Sequence, residues 1–154
     1  MNNYVFIATP ISGFNSEKEY KAYREKVIKL IAFLREKGYK VHSELEKVKS
    51  KNCYDSPEKS VEDDFNNIIN SDYFLLLHPA RMQTSSLIEL GYACALKKNI
   101  VAVGKMSDFP YLVIGYEKYS KNTVVVDIDT LSESCYQQIL CSLQSVGNNI
   151  VNQE

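Results

Sequence analysis

The chain has 154 residues, 45% of them hydrophobic and 24% charged, the size and balance of one domain around one core. With 18 Lys plus Arg against 19 Asp plus Glu the formal charge is -1, which argues against a duplex nucleic acid as partner, since gripping its phosphates takes a basic surface. No apolar run is long enough for a membrane-spanning helix, and the N-terminus has neither the basic segment nor the small-residue cleavage site of a signal peptide.

Taken in chain order, residues 4–8 (Tyr-Val-Phe-Ile-Ala) form a short apolar run closed by Thr9-Pro10 and read as a buried strand. Ser16 followed by Glu19 is a capping box, and Tyr20, Tyr23, Val27, Leu30, Ile31 and Leu34 continue it as a helical stripe that Gly38 ends. Residues 39–42 alternate as a second strand. The lysine-rich stretch 44–55 reads as a mobile loop. Ser56-Pro57 opens a helix that runs to about residue 71. Residues 73–77 are apolar throughout, as a strand covered on both sheet faces should be. A helix over 86–98, a strand over 100–103 stopped by Gly104, a short helix within 109–118, a strand over 123–126 and an amphipathic helix over 131–146 complete the pattern.

Alternating strands and helices predict an α/β chain: a single flavodoxin-like or Rossmann-like three-layer sandwich, with a five-stranded parallel sheet in the order 2-1-3-4-5 and helices on both faces. One domain over residues 1–147 with a tail at 148–154 is expected. Ligands in such sheets bind beyond the carboxyl ends of the strands, at the switch point between strands 1 and 3. That directs attention to residues 9–15 and 78–86.

The first of these loops contains only Gly13, so it is neither a dinucleotide fingerprint nor a Walker A loop. Ser12 and Gly13 could offer a hydroxyl and backbone N–H groups to a phosphate, or form an ordinary turn. Asp64 falls on the same helix face as Val61, Phe65, Ile68 and Ile69, where a carboxylate is costly unless it is paired or put to use. Thr84, Ser85 and Ser86 precede an apolar helix in which Glu89 is the lone charge before Lys97. That turn reads either as an anion-binding helix N-terminus or as a Ser86-x-x-Glu89 capping box. His78 and Arg81 follow strand 3 at the same edge, the one suited to proton transfer and the other to holding a phosphate. Tyr20 and Tyr23 read as helix-face packing, with the option of leaning over the pocket. Cys53, Cys94, Cys135 and Cys141 form no C-x-x-C pair, so a zinc cluster is not expected and reduced thiols in a cytoplasmic protein are.

Together these motifs resemble the nucleoside 2-deoxyribosyltransferase superfamily, including its nucleotide N-hydrolase branch. The resemblance rests on Phe6-Ile7-Ala8-Thr9-Pro10-Ile11-Ser12-Gly13, on Asp64 with Ser71-Asp72, and on Ser86 to Ala93 (Ser-x-x-Glu-Leu-Gly-Tyr-Ala) with Lys97-Lys98-Asn99-Ile100, and covers roughly residues 3–115. It implies that Glu89 is the nucleophile at sugar C1′ and that Asp64 assists at base or sugar. It also implies that Pro10, Ile11, Ser12, Gly13 and Thr84 to Ser86 line the sugar and 5′-phosphate positions. The implied reaction is hydrolysis or transfer of an N-glycosidic bond in a nucleoside or nucleoside 5′-monophosphate, without a cofactor and in a homodimer or larger homo-oligomer. Phe6 stands where many members carry Tyr, and the turn over residues 79–83 lacks their Asp and Gly. Burial among Leu87, Ile88 and Leu90 is expected to raise the pKa of Glu89, and the helix N-terminus to lower it. NAD cleavage in the manner of the similarly built TIR domains, and nucleotide sensing without catalysis, are the alternatives.

Overall fold

The computed structural model describes residues 3–51 and 53–148. Its five strands are β1 (Tyr4–Ala8), β2 (Lys40–His42), β3 (Tyr73–His78), β4 (Asn99–Gly104) and β5 (Thr123–Asp127). They pair parallel throughout in the order β2-β1-β3-β4-β5. The helices are α1 (Glu17–Glu36), α2 (Pro57–Asn70), α3 (Ser86–Ala95), α4 (Tyr111–Tyr119) and α5 (Glu133–Asn148). This is the expected three-layer α/β sandwich. Asn148 ends α5, and the rest of the expected tail lies outside the described residues. Among the described residues no helix is long and apolar enough to cross a membrane.

Successive strand residues point to opposite sheet faces, and the apolar strands feed two cores accordingly. Val5, Ile7, Leu75, Leu77, Val101 and Val103 pack beneath α1 and α5 with Tyr20, Val27, Leu30, Ile139 and Leu143. Phe6, Ala8, Phe74, Leu76, Ile100 and Ala102 pack on the other face with Ile68, Leu90, Ala93 and Val113. Leu131, Tyr136, Ile139, Leu140 and Leu143, the apolar residues of the last helical segment, are all buried in the first core and are not available to a partner. At the free edge of the sheet the Glu117 carboxylate accepts the Val125 N–H at 2.7 Å.

Ser16 caps α1 by accepting the Glu19 N–H at 3.1 Å, while the Glu19 carboxylate reaches past it to the Asn15 N–H. Gly38 ends that helix at φ +87, a conformation L side chains rarely adopt. Two expectations fail. The stretch 44–55 is not a free loop: it begins with a 3-10 turn at Glu44–Glu46 and buries Leu45 and Val48. Tyr20 donates to the Val48 carbonyl at 2.5 Å, Arg24 to the Leu45 and Glu46 carbonyls, and Lys51 to the Phe14 carbonyl at 2.8 Å. The segment is a strap tied to α1 and to the loop after β1. On α2 the inward stripe is narrower than the spacing suggested. Phe65 and Ile68 pack inward, but Val61 and Ile69 are 54% and 48% exposed.

Candidate functional site

A cavity of about 310 Å³ opens at the carboxyl ends of β1 and β2. Its walls come from the loop after β1 (Thr9, Ile11, Ser12), the strap (Glu44, Lys47, Tyr54), α2 (Asp64) and the start of α3 (Thr84, Ser85, Glu89). Phe6 contributes to the wall from β1, its ring stacked between those of His42 and Phe74 at 5.6 and 5.7 Å.

The start of α3 decides where Glu89 points. Ser85 occupies the cap position without a side-chain cap bond, and the Ser86 hydroxyl is 2.8 Å from that of Thr84. The capping box therefore does not form, and the Glu89 carboxyl is left to line the cavity. Ile88 does not help to bury it, being 67% exposed. Enclosure by the cavity, with the nearby charges of Asp64 and Glu44, pushes the Glu89 pKa up to about 8. Asp64 is raised to about 6, first by burial and then by the charge of Glu44, and its Oδ1 is buried without a hydrogen-bond partner. Glu44 goes the other way. Its Oε1 lies 3.2 Å from His42 Nε2 and 2.9 Å from Lys47 Nζ. The close contact with the His42 ring and, against the cost of burial, the hydrogen bond from Lys47 hold Glu44 down at about 2.

His42, Glu44 and Asp64 offer ligand-type atoms within 4.8 Å of one another. Lys47 already brings positive charge to Glu44, its Nζ 2.9 Å from Oε1, so the cluster is built around an ion pair. Three of the carboxyls lining the site, those of Glu44, Asp64 and Glu89, thus have pKa values spread from about 2 to about 8, a separation that suits one group to carry a proton while another is ionised.

The predicted site residues are only partly brought together. Ile11, Ser12, Asp64, Thr84, Ser85 and Glu89 line the cavity. Pro10 is buried beside it, and Ser86, 2% exposed, turns to Thr84. Gly13 brings the first loop against the turn before α3: a Cβ there would stand 2.6 Å from Met82 Sδ and 3.2 Å from the Gln83 carbonyl oxygen. Tyr20 and Tyr23 stay in the core, with Tyr23 Oη 2.8 Å from the Thr9 hydroxyl. His78 and Arg81 are not in the cavity. His78 is buried in a separate cleft with Gly104 and Ile128, stacked on Phe109 and 3.3 Å from the Asp108 carbonyl, and burial lowers its pKa. Arg81 lies at the surface, donating to the Ser107 carbonyl at 2.6 Å.

Glu44, Lys47, Tyr54 and Asp55 were missed as cavity residues because they lie in the lysine-rich stretch. One signal could have found Glu44: it follows His42 by two residues, just past the carboxyl end of a strand, where this class of sheet places ligands.

No protein-family model matches the chain, and no curated protein matches it. Solved structures do. The CMP N-glycosidase BcmB of Clostridium botulinum is similar at 24% identity over 90% of this chain and 98% of that one, with a TM-score of 0.67. BlsM, known from a solution structure, is similar at 21% identity over 97% and 94%, with a TM-score of 0.79. The chain has the fold of these two proteins. Both matches run nearly end to end in each chain.

Proposed function

We propose that the chain cleaves the N-glycosidic bond of a nucleoside or nucleoside 5′-monophosphate, with Glu89 as nucleophile at C1′ and Asp64 as proton donor to the leaving base. The observation that carries this reading is the meeting of Glu89 and Asp64 in one cavity at the carboxyl edge of the sheet. The motifs shared with the nucleoside 2-deoxyribosyltransferase superfamily support it, as does a fold held in common with a CMP N-glycosidase. A cavity of about 310 Å³ also suits a single nucleoside better than a dinucleotide such as NAD.

In the first step the Glu89 carboxylate bonds to C1′ as the C1′–N bond breaks, and the base leaves with the electron pair and a proton from Asp64. Water then adds its oxygen to C1′, giving a proton back to Asp64 as the Glu89 carboxylate departs. A second base in place of water makes the reaction a transfer. Ser12, Thr84 and Ser85 supply hydroxyls to the sugar and to any 5′-phosphate.

The test is free-base release, followed by HPLC, from ribo- and deoxynucleosides, their monophosphates and NAD. The expected result is release from a nucleoside or nucleotide class that falls at least about a thousandfold in Glu89→Gln, since the amide cannot act as the nucleophile. Full activity of a folded Glu89→Gln protein overturns the assignment.

A further inference from the structure

Glu44 has no part in the steps above, yet it lines the same cavity as Glu89 and Asp64. Both of its polar contacts, with His42 and Lys47, fall on Oε1. Among the described residues Oε2 accepts no hydrogen bond, so one oxygen of a firmly fixed carboxylate remains open. The Asp64 carboxyl lies beside it, with an oxygen within 4.8 Å of one on Glu44. Glu44, Asp64 and Glu89 line one cavity, so a sugar seated with C1′ at Glu89 leaves this pair as candidate partners for its base.

We infer that Glu44 reads the base by accepting a hydrogen bond from an exocyclic amino group, so that the substrate carries cytosine or adenine rather than uracil, thymine or hypoxanthine. The inference rests on the glycosidase reading and names its substrate class. A carboxylate is an acceptor only, while a protonated carboxyl donates. Glu44 beside protonated Asp64 is therefore an acceptor next to a donor. The matching base edge has an amino group next to an unprotonated ring nitrogen, as cytosine and adenine do. The pKa values agree with this division, Glu44 staying ionised and Asp64 retaining a proton up to about 6. In uracil and hypoxanthine a carbonyl oxygen replaces the amino group and a ring N–H replaces the bare nitrogen. Both contacts are then mismatched, and the carbonyl faces a fixed negative charge.

The experiment compares kcat/KM for cytidine with uridine and for adenosine with inosine, as ribo- and deoxynucleosides and as 5′-monophosphates, in wild type and Glu44→Gln. The amino member is expected to be preferred by at least about a hundredfold, because a site built around a hydrogen bond leaves its own group unpaired with the wrong substrate. Glu44→Gln, whose amide can donate as well as accept, is expected to bring the ratio within about tenfold. Equal wild-type rates, or an unchanged ratio in a Glu44→Gln protein with a native circular dichroism spectrum and melting curve, overturn the inference. Should Glu44→Gln fail to fold, the wild-type ratio decides alone. If no substrate releases its base, the glycosidase reading falls instead, and calorimetric titration with cytidine and uridine decides the question that remains: tighter binding of cytidine upholds the role of Glu44, and equal affinity or no binding refutes it.

Discussion

The dependence of turnover on pH probes the Glu89–Asp64 pair directly. The mechanism requires Glu89 ionised and Asp64 protonated, although Glu89 is the weaker acid, at about 8 against about 6. Below pH 6 the ionised fraction of Glu89 grows tenfold per unit, and kcat/KM grows with it. Between 6 and 8 the gain at Glu89 offsets the loss of the Asp64 proton, giving a plateau centred near pH 7. Above 8 the rate falls tenfold per unit as Asp64 empties. At pH 7 each group is in its required state in about a tenth of molecules, so roughly one molecule in a hundred is fully competent, the two values belonging to the pair as apparent constants. Asp64→Asn removes the proton donor and a charge that raises Glu89. The alkaline decline should vanish, the rise should move to lower pH, and the plateau rate should drop by about 10² to 10⁴. The assay is initial-rate base release from pH 5 to 10 in buffers of constant ionic strength. A profile flat across this range in wild type, or one that keeps its shape in Asp64→Asn, refutes the reasoning.

Two further outcomes follow from other parts of the structure. Glu89 is raised in the folded protein from 4.5 to about 8, so its contribution to stability is full below about pH 4.5 and is lost as pH rises to about 8. Glu89→Gln carries no such loss, and by calorimetry its melting temperature should exceed that of wild type by a margin that grows over this window to about 4 °C or more at pH 9; a margin independent of pH counts against burial as the cause of the shift. Tyr20→Phe leaves the buried Val48 carbonyl without its donor, which should cost about 1–3 kcal/mol in a denaturant melt and raise KM as the strap loosens, while an unchanged KM would separate the strap from substrate binding.

Much of this architecture is legible in the sequence because its signals are local. The unbroken apolar runs at residues 4–8 and 73–77 can be satisfied only inside a sheet covered on both sides, and Ser16 and Gly38 bracket α1 through their own backbone preferences. The site was harder to read where its residues depend on distant partners. Ser86-x-x-Glu89 could fold as a cap or leave its carboxyl free, and the choice lies with Thr84, which takes the Ser86 hydroxyl. Leu45 and Val48 are two apolar residues among lysines, too few to reveal a strap whose anchors are Tyr20, Arg24 and Phe14 on other segments. His78 does sit at the carboxyl edge of the sheet, but strand alternation puts it on the face of Phe74 and Leu76, where Phe109 covers it. A rule that selects an edge cannot tell which of the side chains there will face the ligand.

The carboxylate of Glu117 at the outer edge of β5 has a consequence beyond the single N–H it satisfies. An unpaired strand edge is a template on which a second chain can add its own strand, the first step toward fibrous self-association. Here the Val125 donor is already taken by an acidic side chain from the same molecule. An incoming strand would have to displace that side chain and approach its negative charge. The opposite edge offers little in its place, because β2 is only three residues long. The sheet is therefore guarded at one end by charge and at the other by brevity, and copies of the chain are discouraged from joining edge to edge even when crowded.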